Sequence, residues 1–184
     1  MKGVVFTEFL GLVEEKFGED VVDDIIEAAE LASGGAYTAV GTYDHGEMVA
    51  LVTHLSDQTK IPAKDLLHVF SEHLMGYFAR AYPAFFEAAA DTLDFIESVD
   101  RHIHVEVRKL YPDAELPSFR CRRRSEHVLE VEYRSVRNFD ELAHGLMLHA
   151  ARHFGETLDI ERQPTRPDGA VPFVVTKKAD ERAA

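Results

Sequence analysis

The sequence predicts an α+β fold: a mainly helical N-terminal part packed with a C-terminal antiparallel sheet that carries one inserted helix. Three observations predict it. Apolar residues recur at helical spacing from Val5 to about residue 110, and short alternating runs dominate afterwards. A cap-like pair, Asn138 and Glu141, then introduces one more helical stripe among those runs.

Val5, Phe9, Leu12, Val13 and Phe17 share a helical face, and Gly18 ends that helix. Asp20 stands where it would cap a second helix bearing Val22, Ile25, Ile26 and Ala29, with the Gly34-Gly35 break beyond. Asp44-His45-Gly46-Glu47 resembles a capping box, and Met48, Leu51, Val52 and Leu55 continue the stripe it would start. Pro62, tolerated in a first turn, precedes a helix with Leu66, Leu67, Val69, Phe70, Leu74, Tyr77 and Phe78. That arc is wide enough to be buried between layers or to wall a cavity.

Tyr82-Pro83 breaks this helix, and Phe85, Phe86, Ala89, Leu93 and Ile96 begin another that runs on through Val99, Ile103 and Val107 to Leu110. His102 to Val107 also alternates as a strand would; the longer period favours helix, and Pro112 ends it. A loop from Asp113 to Ser118 leads to strands at 119–122 and 129–137. The inserted helix carries Phe139, Leu142, Leu146, Ala150 and Phe154 and is closed by Gly155. Strands at 158–162 and 171–176 flank a Pro167-Asp168-Gly169 turn, and the polar tail is expected to fray.

At 184 residues, 46% hydrophobic and 29% charged, the chain is expected to be one soluble domain whose core needs no staples. A net charge of −13 argues against a nucleic-acid partner, which needs a basic footprint. Arg120-Cys121-Arg122-Arg123-Arg124 is a local exception and reads as a charged loop. A single cysteine, Cys121, rules out an internal disulfide and a thiolate zinc site and fits a reducing, cytoplasmic setting; the basic run beside it would lower its pKa. Glu8, Glu14 and Glu15 interrupt any signal-peptide core, and no run approaches the ~18 apolar residues of a membrane span.

Along 129–137 one strand face would carry Leu129, Val131, Tyr133, Ser135 and Arg137. It starts apolar and ends in a phenol, a hydroxyl and a five-donor guanidinium, a set suited to clamping a carboxylate or phosphate. Spacing alone also accommodates a core tyrosine, a strand-ending serine and a solvated arginine.

Ten histidines raise the question of a metal. His149 and His153 stand four apart on the inserted helix, but Ala150 replaces the glutamate of a zinc-protease pattern, so the pair reads as a solvated face. His68 and His73 do not share a helical face. His102, His104 and Glu106 would meet on one side of a strand, whereas on a helix they diverge and one histidine faces inward. A neutral interior imidazole is a suitable axial ligand to iron. No G-x-S-x-G serine and no Gly-rich phosphate loop is present, so nucleophilic catalysis has little support. An interior histidine, an anion clamp and large apolar helix faces together are the requirements of a haem pocket.

On these residues the chain resembles the haem nitric oxide/oxygen-binding (H-NOX) family, which includes the haem domain of soluble guanylate cyclase. Met1-Lys2-Gly3 matches the family's start, and Ile103-His104-Val105-Glu106-Val107 followed by Lys109-Leu110-Tyr111 resembles its proximal-histidine helix. Leu116-Pro117-Ser118-Phe119-Arg120-Cys121 resembles the segment after that helix in the cyclase branch, and Tyr133-x-Ser135-x-Arg137 matches the Y-x-S-x-R propionate motif.

The resemblance implies a single haem-binding domain over 1–184: a distal helical subdomain to about residue 65, a proximal subdomain over 66–177, haem b (iron protoporphyrin) between them, and a tail at 178–184. It gives the axial, metal-binding role to His104, the propionates to Tyr133, Ser135 and Arg137, and the distal positions to Val5, Phe9, Leu74, Phe78, Leu142 and Leu146. Pro117 and Val5 would hold the porphyrin distorted. Oxygen-binding members carry a tyrosine donor where Leu142 stands, so the resemblance implies a nitric oxide sensor that discriminates against oxygen, with carbon monoxide a second candidate ligand.

Nitric oxide would weaken or break the iron–His104 bond and shift the two halves of the chain. No effector domain is seen in the sequence, so the signal would pass to a partner such as a histidine kinase or cyclic-di-GMP enzyme. The cysteine-rich zinc site of some bacterial members cannot form with Cys121 alone. The competing readings are an oxygen-binding sensor, a haem peroxidase, a hydrolase built on His102, His104 and Glu106, and a cofactor-free interaction module. The expectation is a sensor and no enzyme.

Overall fold

The computed structural model describes residues 1–178, so the expected tail falls outside the described residues except for Lys178. Contacts divide the chain into two compact units, Met1–Leu74 and Met75–Ala184. The mix of helices with a four-stranded antiparallel sheet is the α+β class expected.

The first unit holds helices α1 (Gly3–Phe17), α2 (Glu19–Ala28) and α3 (His45–Thr59) and most of α4 (Ala63–Ala81). Its core follows the predicted stripes in part: Phe9, Leu12 and Val13 from α1, joined by Phe6, which the stripe did not include, then Ile25 from α2, Met48, Leu51, Val52 and Leu55 from α3, and Leu66, Phe70 and Leu74 from α4. The predicted Val5 is half-buried and Phe17 exposed. Val69 is exposed, so the apolar arc of α4 is narrower than its sequence implies.

Asp20 does not cap α2. Gly18, at φ +95°, ends α1 by donating its N–H to the Glu14 carbonyl and is itself the residue before α2, which leaves Asp20 in the first turn, where its charge suits the helix dipole. Asp44 does cap α3, accepting from the Gly46 N–H at 2.6 Å. Glu47 does not close the box; its carboxylate accepts from the Ser33 hydroxyl and, at 2.6 Å, from the Tyr37 hydroxyl, and so anchors the segment between α2 and α3. Tyr37 stacks on Phe6 with ring centroids 4.4 Å apart. The chain start is bound to the same segment: a Cβ on Gly3 would lie 1.9 Å from the Thr38 carbonyl oxygen, so no larger residue fits there unless the backbone moves.

In the second unit the helix expected from Phe86 to Leu110 is interrupted. After α5 (Pro83–Glu87) the chain restarts at α6 (Thr92–Ser98), because Asp91 accepts from the Asp94 N–H at 2.8 Å and caps a new helix. A π-helical turn (Val99–Ile103) follows, and then α7 (His104–Leu110). The sheet consists of β1 (Ser118–Arg123), β2 (Val128–Arg134), β3 (Leu158–Arg162) and β4 (Val171–Lys177) in the order β1-β2-β4-β3, all antiparallel, with α8 (Asp140–His153) between β2 and β3.

Leu129, Val131 and Tyr133 of β2 and Val171, Phe173 and Val175 of β4 pack with Leu93 and Ile96 of α6 and Ala143, Met147 and Ala151 of α8. Alternation puts charge on the opposite face, where Arg122 and Arg124 both pair with Glu130. Most of the expected charged loop is therefore strand β1, with cross-strand partners supplying what a loop would take from water. Asn138 does not cap α8; it sits at φ +53°, and Phe139 occupies the cap position. Among the described residues no helix is long and apolar enough to cross a membrane.

Candidate functional site

His104 opens α7 directly after the π turn, and its N–H donates to the Val99 carbonyl five residues back. Its side chain is 12% exposed, and Nδ1 lies 3.3 Å from Asp100 Oδ1. An ionised carboxylate only accepts, so toward Asp100 the Nδ1 is the donor; the Pro117 carbonyl is a second acceptor at the ring. Burial holds the His104 pKa below its ordinary value; Asp100 and the Pro117 carbonyl oppose that shift without cancelling it. The imidazole is neutral at neutral pH.

His102 is exposed, its ring edge-on to Phe85 at 5.8 Å, and Glu106 pairs with Lys109 at 2.6 Å. The helix thus separates the three side chains that a strand would gather. Among the described residues no group of three or more His, Cys, Asp or Glu side chains is placed to hold a metal ion.

Tyr133 is buried on the inner face of β2, opposite Phe119 of β1 in register, with ring centroids 5.3 Å apart. Burial raises its pKa, and a hydrogen bond with Ser135 acts the other way. The strand does not reach 137. It stops at Arg134, whose guanidinium is held by Glu132 and Asp168, and the next three residues turn away.

Turn geometry, not strand alternation, therefore brings Ser135 and Arg137 beside Tyr133. The Arg137 N–H donates to Ser135 Oγ at 3.1 Å, while Val136 points outward, 81% exposed. The Arg137 side chain is only 10% exposed; Nη2 donates to Glu115 Oε2 at 3.2 Å, and the buried Nε has no hydrogen-bond partner among the described residues. An unmatched donor on a charged, buried group is costly, so this side chain is suited to an anionic acceptor.

The other candidates are apolar. In the second unit Leu142 is buried, Phe78 and Leu146 pack on the cluster of Met75, Phe86, Phe95 and Ala150, and Pro117 is half-buried just before β1. In the first unit Phe9 meets Phe70 edge-to-face at 5.2 Å, Leu74 is buried and Val5 half-buried. His73 pairs with Glu8 at 2.9 Å within this unit.

Two residues near His104 and Tyr133 were missed. Phe119 lies against both rings, 5.9 Å from His104, and only the β1–β2 register reveals it. Asp100 precedes His104 by four, a spacing that sets the two side chains on one helix face, and the sequence reading did not take it up. Two expectations are corrected. His149 is buried, not solvated; its neighbour His153 is exposed, 4.6 Å from the Phe86 ring. Burial, with Glu97 next in weight, pushes the Cys121 thiol up to about 12; Arg101 and Arg123 oppose the shift without cancelling it, and Arg122 and Arg124 are taken up by Glu130 on the other face.

A family model described as haem-NO-binding matches residues 2–162. Among solved structures, the chain is similar to an H-NOX protein from K. algicida in the Fe(II) unliganded state, at 40% identity over 98% of each chain and TM-score 0.93. It is also similar to the H-NOX from Shewanella woodyi in the Fe(II)CO state, at 38% identity over 100% of this chain and 97% of that one, with TM-score 0.84. An S. oneidensis H-NOX protein in the Fe(II)NO state shares the fold, at 21% identity, 97% and 100% coverage and TM-score 0.89. No curated protein matches.

Proposed function

The chain belongs to the haem-NO-binding family, and from that premise we propose a haem-based sensor that takes nitric oxide in preference to oxygen and signals to a separate effector protein. The family binds haem, and H-NOX domains are sensor modules rather than catalysts.

Haem b suits the groups this chain presents. The buried Arg137 Nε needs an anionic acceptor, and the Tyr133 and Ser135 hydroxyls beside it complete a donor set for a propionate carboxylate. His104 offers a largely buried imidazole whose Nδ1 faces the Asp100 carboxylate. Val5, Phe9, Leu74, Phe78, Pro117, Leu142 and Leu146 offer hydrocarbon that keeps water away from an apolar macrocycle. When bound, ferrous haem supplies a coordination position that a diatomic gas can occupy. The similar K. algicida and S. woodyi proteins were studied with ferrous iron, the latter with carbon monoxide.

The preference for nitric oxide rests on one observation: Leu142 is buried and aliphatic. A hydrogen-bond donor favours a ligand that gathers negative charge, as dioxygen does and nitric oxide does much less; Leu142 has none to give. For the signal, His104 stands at the junction of the π turn and α7, so a change of force on its side chain acts where the backbone pairing changes from π to α. The receiver in this reading is a histidine kinase or a cyclic-di-GMP enzyme.

The visible absorption spectrum of the reduced protein under argon, in air and with nitric oxide tests the reading. A five-coordinate ferrous spectrum that air leaves without an oxy complex and nitric oxide changes is expected. A stable oxy complex would overturn the preference, and absence of any haem band after reconstitution would return the chain to the cofactor-free module. Leu142→Tyr should gain an oxy complex.

A further inference from the structure

We propose that Asp100 is a positioning residue for His104: its carboxylate fixes the imidazole as the Nδ1–H tautomer and makes it a stronger electron donor to iron than an imidazole bonded to a neutral acceptor. This rests on the haem reading above. Four observations carry it. The Nδ1–Oδ1 separation is 3.3 Å. The His104 side chain is largely buried, which strengthens the interaction beyond that of a surface pair. Among the described residues the Asp100 carboxylate makes no other hydrogen bond or ion pair, and its only competitor for the ring is the neutral Pro117 carbonyl. Finally, Asp100 lies inside the π turn whose last backbone bond ends on His104, so the two side chains project from one hydrogen-bonded segment.

A carboxylate on the non-ligating nitrogen is a recurrent outer-shell device: it orients the ring and raises its basicity. Helix-stabilising pairing alone would produce the same contact and would leave the iron untouched. In this chain a stronger donor would hold the iron–His104 bond more firmly, so Asp100 would set how readily nitric oxide releases the helix.

The test compares wild type, Asp100→Asn and Asp100→Glu, each reconstituted with haem and reduced, by resonance Raman spectroscopy of the iron–histidine stretch and by the ferric/ferrous midpoint potential. Asn keeps size and acceptor but removes charge; a lower stretching frequency, a more positive potential and haem loss faster by about 10-fold or more are expected. Glu should recover most of each shift. Unchanged frequency and potential in Asp100→Asn would overturn the proposal while leaving the haem reading intact, because His104 would still give its iron–histidine mode. A wild type without that mode would overturn both. Should Asp100→Asn fail to fold, nitrogen-15 NMR of His104 in the wild-type ferrous carbon monoxide complex decides: a protonated, strongly deshielded Nδ1 supports the proposal, and an ordinary neutral-imidazole shift overturns it.

Discussion

The two units of this chain are unlike in charge and in what they offer a ligand. Residues 1–74 carry four basic and fourteen acidic side chains, a net −10; residues 75–184 carry sixteen and nineteen, a net −3. The first unit is helical, and the candidates it contributes, Val5, Phe9 and Leu74, are all apolar. The polar candidates His104, Tyr133, Ser135 and Arg137 all belong to the second, and its arginines are largely matched within the unit, as where Arg123 reaches Glu97 at 2.7 Å. The difference follows from backbone chemistry. An amphipathic helix satisfies its own N–H and C=O groups and can present an unbroken hydrocarbon stripe. A strand end that turns away aims successive polar side chains in one direction, as at Ser135 and Arg137.

The largest expected effect tests whether the polar unit alone holds the cofactor. His104→Gly should lose its haem absorption band and regain it when imidazole is supplied. Equal retention without imidazole would mean that hydrocarbon contact suffices, and the contrast would lose its functional meaning.

Arg137→Met sharpens the same comparison by separating binding from stability. Haem affinity should fall, whereas the haem-free protein should gain about 1–3 kcal/mol by losing a buried donor without an acceptor, read from chemical denaturation of both forms. A haem-free protein destabilised by the change would show that the Arg137–Glu115 pair outweighs the buried Nε.

In the first unit, Gly3→Ala forces a methyl against the Thr38 carbonyl and should cost about 1–3 kcal/mol, with amide exchange accelerating around residues 37–43 and not in the sheet. Uniform acceleration across the chain would show that the two units unfold together.

The smallest effect concerns Cys121. With its thiol pushed up to about 12, alkylation at pH 8 should be much slower than for an ordinary thiol and should become normal on denaturation. Because the folded pKa lies above the unfolded one, the native state keeps its proton longer. Its contribution to stability is complete below pH 9 and is lost as pH rises toward 12.

Much of the fold was legible in local pattern. The stripe of α3 appears as written and those of α1 and α4 in part, Asp44 caps α3, and the alternation of β2 holds through Tyr133. The misses share a cause: each hung on a competition that spacing does not record. Asp20 and Asn138 are good cap residues, but a glycine and a phenylalanine hold those positions. The period from Phe86 to Leu110 is real, yet Asp91 offers a new cap inside it and the π turn shifts the register before His104. Arg137 was placed on the strand face of β2, whereas the strand ends at Arg134 and a turn holds it.

What the sequence determined by itself is what depends on neighbours a few residues away: helix faces, strand alternation, the motif spacing that carries the family resemblance, and the identity of an aliphatic side chain at 142. Tertiary structure alone decided which polar groups lost their water. It buried His104 against Asp100, left the Arg137 Nε without an acceptor among the described residues, and took the Cys121 thiol out of water. Desolvation is set by every segment that closes over a group, and those segments are scattered along the chain, so no local pattern encodes it.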